Sequence, residues 1–143
     1  MATDILKKLS KSNRFPTSEI QKNRQDLTSR KDIELIVRLF YPRASFDDCL
    51  GPIFEAHIHG ESAWEAHFAL VSDFWETVIF ENPVYRNNPL RKHKSIGMQA
   101  VHLDHWLSLF NEVIEENFAG PKAEELKKRA SIMKEVFMTK LVK

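Results

Sequence analysis

Apolar residues recur at helical spacing from about residue 29 almost to the C-terminus, and this periodicity limits the fold to packed helices. In the first periodic segment, one helical face is formed by Ile33, Ile36, Val37 and Phe40. No alternating strand pattern and no convincing hairpin signal interrupts the series. We therefore predict an all-α domain.

The helix boundaries are predicted from caps and helix breakers. Helical segments are expected over residues 32–41, 62–81, 90–93, 99–118 and 121 to about 139. Ser29 is the expected cap of the first segment, and Ser62 with Glu65 forms an S-x-x-E capping box that is expected to open the second. The stretch from Phe46 to Pro52 is predicted to be an irregular connection.

Size and composition indicate one soluble domain. The chain has 143 residues, of which 43% are hydrophobic and 29% are charged, so it is long enough to bury a core without disulfides. Cys49 is the single cysteine, and no stretch approaches the roughly 18 apolar residues of a membrane helix. No apolar signal-peptide segment is seen at the N-terminus. We expect a cytoplasmic protein without a membrane partner.

The charge is distributed unevenly along the chain. Residues 1–31 carry eight Lys and Arg against three acids, although the net charge of the whole chain is only +1. We predict a basic, polar N-terminal extension over residues 1–28 and a single folded domain over residues 29–143. Because the basic charge lies on the extension and the domain is mildly acidic, we expect no nucleic-acid partner.

The histidines exclude several kinds of metal site. The sequence contains no HExxH zinc motif and no Glu three residues before a His, so no metal cage of protein side chains is expected. His67 lies on an aromatic helical segment, and His93 follows a turn on a short one. Two histidines on either side of an apolar slot suit a haem iron, but two hydrogen-bonded histidines in a helical core remain the alternative.

Five blocks of sequence resemble the signature of the group III truncated haemoglobins. They are Phe40-Tyr41, Leu50-Gly51-Pro52-Ile53-Phe54, Trp64-x-x-His67 with Phe74-Trp75, Pro89-Leu90-Arg91-Lys92-His93, and Trp106-Leu107-x-Leu109-Phe110. The blocks occur in the family's order over roughly residues 31 to 138. Each block is a modest signal by itself, and their order makes the resemblance specific.

The resemblance implies a globin-like, two-over-two helical sandwich that encloses haem b. In such a fold His93 matches the proximal ligand of the iron. Tyr41, Trp106 and His67 match the distal residues, whose hydrogen bonds act on a bound diatomic ligand. Without the resemblance, a core tyrosine with a backbone partner for its hydroxyl is the favoured interpretation of Tyr41, and packing alone explains Trp106.

Apolar walls and a charged rim are also implied by the resemblance. The wall positions are Phe40, Phe54, Phe68, Val71, Trp75, Leu90 and Met133. Arg91 and Lys92 flank the proposed iron ligand and are candidates for contacts with the haem propionates. A solvated run of charges explains these two residues equally well.

Two positions depart from the family pattern. Pro42 stands directly after Tyr41, where the family generally has a charged residue. Because proline disfavours α geometry at the residue before it and lacks an N–H, the first helix is expected to kink or end at Tyr41. Asn87 stands where the family often has glycine, and asparagine tolerates the left-handed conformation that such a turn needs.

The leading functional hypothesis is a haem protein that binds oxygen and related small ligands, namely carbon monoxide, nitric oxide, cyanide or peroxide. Two distal donors would slow oxygen release, which favours scavenging, sensing or redox work over simple transport. An enzyme on the same fold that turns over peroxide or nitric oxide, with an external electron donor, is the first alternative. A cofactor-free helical interaction module is the second, and a monomer is expected in each case.

Overall fold

The computed structural model describes residues 24–142, and within this range the chain forms six α-helices and no named strand. The helices are α1 (Arg30–Phe46), α2 (Gly51–His57), α3 (Gly60–Phe80), α4 (Pro89–His93), α5 (Ala100–Asn117) and α6 (Pro121–Leu141). The predicted all-α class is confirmed. Within the described range, no helix is both long enough and apolar enough to cross a membrane.

The first helix runs through Pro42 and ends only at Phe46, so the expected end at Tyr41 is wrong. Tertiary contacts hold the extra turn. Ala44 is fully buried, and the guanidinium of Arg43 lies 2.5 Å from a carboxylate oxygen of Glu116 on α5. The proline costs the helix a backbone hydrogen bond, and these contacts offset that cost.

The predicted irregular stretch contains the beginning of a helix, because α2 starts at Gly51 with Pro52 in its first turn. The prediction that Ser62 and Glu65 form a capping box is also wrong. The third helix begins at Gly60, and Ser62 therefore lies inside its first turn. The carboxylate of Glu65 instead pairs with Arg38 on α1 at 2.8 Å.

The helices pack in two layers that leave a space between them. One layer holds α1 and α3, the other holds α5 and α6, and the short helix α4 lies against α6. Arg30 on α1 binds Asp73 on α3 at 2.5 Å, which ties the first layer together. Trp75 and Phe110 stack across the layers with ring centroids 5.4 Å apart.

Residues 24–28, at the end of the predicted extension, lie against the helices. Leu27 is buried in the core, and the carbonyl of Gln25 accepts a hydrogen bond from the N–H of Ala119 at 3.0 Å. Residues 1–23 of the predicted extension lie outside the described residues. The boundary between residues 28 and 29 therefore stays a prediction.

Candidate functional site

A cavity of about 340 Å³ lies between the helix layers, and residues of α4 form part of its wall. Its volume falls in the range of roughly 300–1,000 Å³ that is typical of sites for small molecules and cofactors. Ten of the residues singled out from the sequence line it: Phe40, Tyr41, Phe54, His67, Val71, Trp75, Lys92, His93, Trp106 and Met133.

Three residues singled out from the sequence do not line the cavity, namely Phe68, Leu90 and Arg91. Phe68 follows His67 on α3, and the helical turn directs its ring elsewhere. It packs on Tyr41 with ring centroids 5.5 Å apart, beneath the guanidinium of Arg38. Leu90 and Arg91 lie in the first turn of α4, where their N–H groups donate to the Asn88 side chain.

Sequence reasoning missed much of the lining. The additional apolar residues are Val37, Leu50, Ile53, Ile58, Leu70, Phe74, Pro89, Ile96, Met98, Leu103, Phe110 and Phe137, and the polar ones are His57, Tyr85, Ser95, His102 and Lys134. Phe137 lies one helical turn after Met133, so the apolar spacing of the last helix contained a signal for it. No sequence signal pointed to His57, because its position depends on the unexpected helix α2.

The end of α4 holds His93 in a defined orientation. The Nδ1 of His93 lies 2.6 Å from the carbonyl oxygen of Pro89, so Nδ1–H donates to that carbonyl. The ring lies beside Phe137 at a centroid separation of 5.0 Å. Burial lowers the pKa of His93, and the bond to Pro89 opposes that shift in part. The imidazole is therefore neutral near pH 7, with the lone pair of Nε2 available.

The side chain of Asn88 fixes the start of α4. Its Oδ1 accepts the N–H groups of Leu90 at 3.0 Å and of Arg91 at 3.4 Å, which is the usual role of an asparagine cap. Pro89 occupies the first turn, where its missing N–H costs nothing. A helix of five residues thus forms because its cap is built into the Asn-Pro sequence, and its last residue is His93.

Tyr41 and His67 meet on the other side of the cavity. Tyr41 is 7% exposed, and its hydroxyl lies 2.9 Å from Nε2 of His67. Burial raises the pKa of Tyr41, and burial together with the nearby His93 lowers the pKa of His67 to about 4. Both groups are therefore neutral near pH 7, and they share one hydrogen bond.

Trp106 completes the polar set on α5. Its indole stacks on Phe110 with centroids 5.2 Å apart and an interplanar angle of 11°, which fixes the plane of the ring. Within the described part of the chain, its indole N–H has no hydrogen-bond partner. Because this group is a donor only and Trp106 lines the cavity, a ligand bound there can accept its N–H without displacing any of the described side chains.

The helices are arranged as in the truncated globin fold. No protein-family model matches the chain. A group 3 truncated hemoglobin, ctb, from Campylobacter jejuni is 26% identical over 117 residues, which cover 80% of this chain and 92% of the relative.

The solved structures include a group III truncated hemoglobin from Campylobacter jejuni with the same fold. It superposes with a TM-score of 0.78 at 24% identity and covers 84% of this chain and 96% of that one. The predicted globin fold and the predicted resemblance to the group III truncated haemoglobins are both confirmed.

Proposed function

We propose that this chain is a haem-binding globin that holds the iron through Nε2 of His93 and binds oxygen and related small ligands. The observation that carries the proposal is the arrangement of the cavity. A neutral imidazole with an available nitrogen and a group of hydrogen-bonding side chains line the same cavity, and aromatic residues form much of its wall.

The residues fit haem b. The cavity walls are largely aromatic and aliphatic, as a porphyrin face requires, and the Pro89 carbonyl orients the proposed ligand in the way that partners of metal-bound histidines do. Lys92 lines the cavity and supports the proposed propionate contact, whereas Arg91 does not line it. When bound, haem supplies an iron atom with an open position for a diatomic molecule.

The three distal side chains have different tasks in this proposal. The N–H of Trp106 donates to the bound ligand without giving up another bond. The hydroxyl of Tyr41 must share its bond with His67, so the orientation of His67 controls how much of this donor reaches the ligand. Two neutral donors of about 1 kcal/mol each would slow oxygen release, which favours scavenging, sensing or redox work over transport.

Carbon monoxide, nitric oxide, cyanide and peroxide belong to the same ligand set, because each is small enough for the cavity and binds haem iron.

A monomer in the cytoplasm is part of the proposal. The single Cys49 supports the reducing compartment, since it leaves no pair for an intramolecular disulfide.

The first experiment is an absorption spectrum of the purified protein with added haem, reduced and then exposed to carbon monoxide. We expect one haem per chain and a carbon monoxide complex. His93→Ala should lose or loosen the haem, while His59→Ala, which removes an exposed histidine outside the cavity, should leave the spectrum unchanged. Failure of the wild-type protein to hold haem would support the cofactor-free helical module instead.

A second candidate function is the reduction of peroxide to water with electrons from an external donor. The neutral His67 favours it, because its imidazole lines the cavity and can take a proton from peroxide once Nε2 leaves the hydroxyl of Tyr41. Steady-state peroxidase rates decide between the candidates. Turnover that falls in His67→Gln while haem content is unchanged would support the enzyme, and rates no higher than those of free haem would exclude it.

A further inference from the structure

A second cluster of metal-ligand side chains lies outside the cavity, where the turn between α1 and α2 meets α5. Asp47 follows the last residue of α1, Cys49 lies in the turn, and His105 projects from α5. One ligand atom from each of the three side chains lies within 4.8 Å of the others. Because 58 residues separate Asp47 from His105, no local motif could indicate this cluster.

The cluster is already organised by hydrogen bonds. Nδ1 of His105 lies 3.0 Å from each carboxylate oxygen of Asp47. The same carboxylate accepts the backbone N–H groups of Cys49 and Leu50, each at 3.0 Å. These bonds fix the carboxylate against the turn, so the ligand atoms need little rearrangement to face one point.

The cluster is also accessible. The side chain of Asp47 is 18% exposed and that of His105 is 43% exposed, while Cys49 is half-buried. A metal ion can therefore enter from solvent, and a water molecule can complete its coordination. The cluster is separate from the cavity, since neither Asp47, Cys49 nor His105 lines it.

The donor set favours zinc. One sulfur, one imidazole nitrogen and one carboxylate oxygen are the three ligand types that zinc takes in proteins, with bond lengths of roughly 2.0–2.3 Å and tetrahedral geometry. Calcium and magnesium prefer oxygen ligands only, and a thiolate excludes them. Three protein ligands and one water match zinc sites that keep an open position.

We propose that Asp47, Cys49 and His105 bind one zinc ion, which ties the α1–α2 turn to α5. The ion replaces the hydrogen bond between His105 and Asp47 by two bonds to the metal, and the thiolate of Cys49 forms a third. The thiol proton of Cys49 and the proton on Nδ1 of His105 pass to solvent as the ion binds. Leu50, which lines the haem cavity, follows Cys49 directly, so the bound ion also restrains one wall of that cavity.

The test uses the full-length chain as purified, treated with a chelator and then titrated with zinc chloride. We expect one zinc per chain in equilibrium dialysis. Cys49→Ser and His105→Ala should weaken binding by at least the roughly 10- to 100-fold loss that follows even removal of a ligand's partner. Asp48→Asn, which removes the exposed acid next to Asp47, and His59→Ala are the matched controls and should bind zinc normally.

A second readout is specific to the thiolate. Because Cys49 is the single cysteine of the chain, the rate of alkylation by iodoacetamide, followed by mass spectrometry, reports this site alone. Zinc should slow the alkylation, and Asp48→Asn should show the same protection. Absence of zinc binding, equal binding by Cys49→Ser, or alkylation that zinc does not slow would each overturn the proposal.

Discussion

At the scale of single residues, the two distal donors, Tyr41 and Trp106, differ in the hydrogen bonds that they already make with described residues. The hydroxyl of Tyr41 shares a 2.9 Å hydrogen bond with His67, whereas the indole N–H of Trp106 has no partner among the described residues. A ligand that enters the cavity therefore gains the bond from Trp106 outright, but it must compete with His67 for Tyr41. The two residues should have separable effects on ligand release.

We expect Trp106→Phe to speed oxygen dissociation about fivefold, because one net hydrogen bond contributes about 1 kcal/mol. Stopped-flow displacement of oxygen by carbon monoxide measures the rate. His59→Ala is the control, since His59 is exposed and does not line the cavity, and it should leave the rate unchanged. An unchanged rate in Trp106→Phe would remove this residue from the ligand site.

The shared bond between Tyr41 and His67 makes a prediction of opposite sign. Tyr41→Phe should speed oxygen dissociation, while His67→Leu should slow it, because the hydroxyl of Tyr41 then has no protein partner and donates to the ligand. In the double variant the effect of His67→Leu should disappear, since the hydroxyl is absent. Additive effects of the two substitutions would contradict this account, and the same displacement assay measures them.

At the scale of helices, the first N–H groups of a helix can find their hydrogen-bond acceptor on a residue that is distant in sequence. The carboxylate of Asp26 accepts the N–H groups of Lys122 at 2.9 Å and of Ala123 at 2.8 Å, in the first turn of α6. Burial by itself would raise the pKa of Asp26, but these N–H groups and that of Leu27 hold it below its ordinary value. The cap of α6 thus comes from a residue that precedes α1.

We expect Asp26→Ala to lower the free energy of unfolding by about 1–2 kcal/mol, which is typical of a lost cap. Because the pKa of Asp26 is lowered on folding, its contribution is present above the ordinary value of 3.8 and is lost as the pH falls through the folded value. Urea unfolding near neutral pH measures the loss. Asp48→Ala, which removes an exposed acid, should change stability little.

Pro42 carries the second prediction at this scale. It lies inside α1 and cannot donate to the carbonyl of Arg38, so Pro42→Ala restores a helical hydrogen bond. We expect a stabilisation of about 1–3 kcal/mol. Pro52→Ala is the matched control, because Pro52 lies in the first turn of α2 and should give no gain. A destabilised Pro42→Ala variant in thermal unfolding would mean that the backbone conformation fixed by Pro42 is needed for packing.

At the scale of the whole molecule, the buried histidines couple stability to pH. Folding lowers the pKa of His67 from 6.5 to about 4, so the folded protein holds this imidazole neutral while the unfolded chain protonates it. The unfolded state therefore binds more protons between these two values, and stability must fall as the pH falls through this window.

We expect the free energy of unfolding to drop by up to about 3 kcal/mol from His67 between pH 6.5 and about pH 4. Urea unfolding across this range measures the slope, and His67→Gln should reduce it because glutamine does not titrate. His59→Gln, at an exposed histidine, should keep the wild-type slope. An equal slope in His67→Gln would show that other groups dominate.

The resemblance of the five sequence blocks implied five of the aromatic residues that line the cavity. The sequence alone determined the helical class and the places of the long helices. These properties follow from spacing within one segment: Phe40 and Tyr41 lie on the buried face of α1, and the Asn-Pro cap positions His93 at the end of α4. Periodicity and capping depend on residues that are close in sequence, so they can be predicted without a structure.

Only the tertiary structure decided how distant segments meet. Pro42 led to the prediction that the first helix ends at Tyr41. The helix instead continues to Phe46, where the ion pair of Arg43 with Glu116 on α5 stabilises its last turn. Tyr41 meets His67 across 26 residues, and Asp26 caps α6 across 96. Such contacts arise because burial of the core brings helix faces together, and that free energy exceeds what any single local signal can contribute.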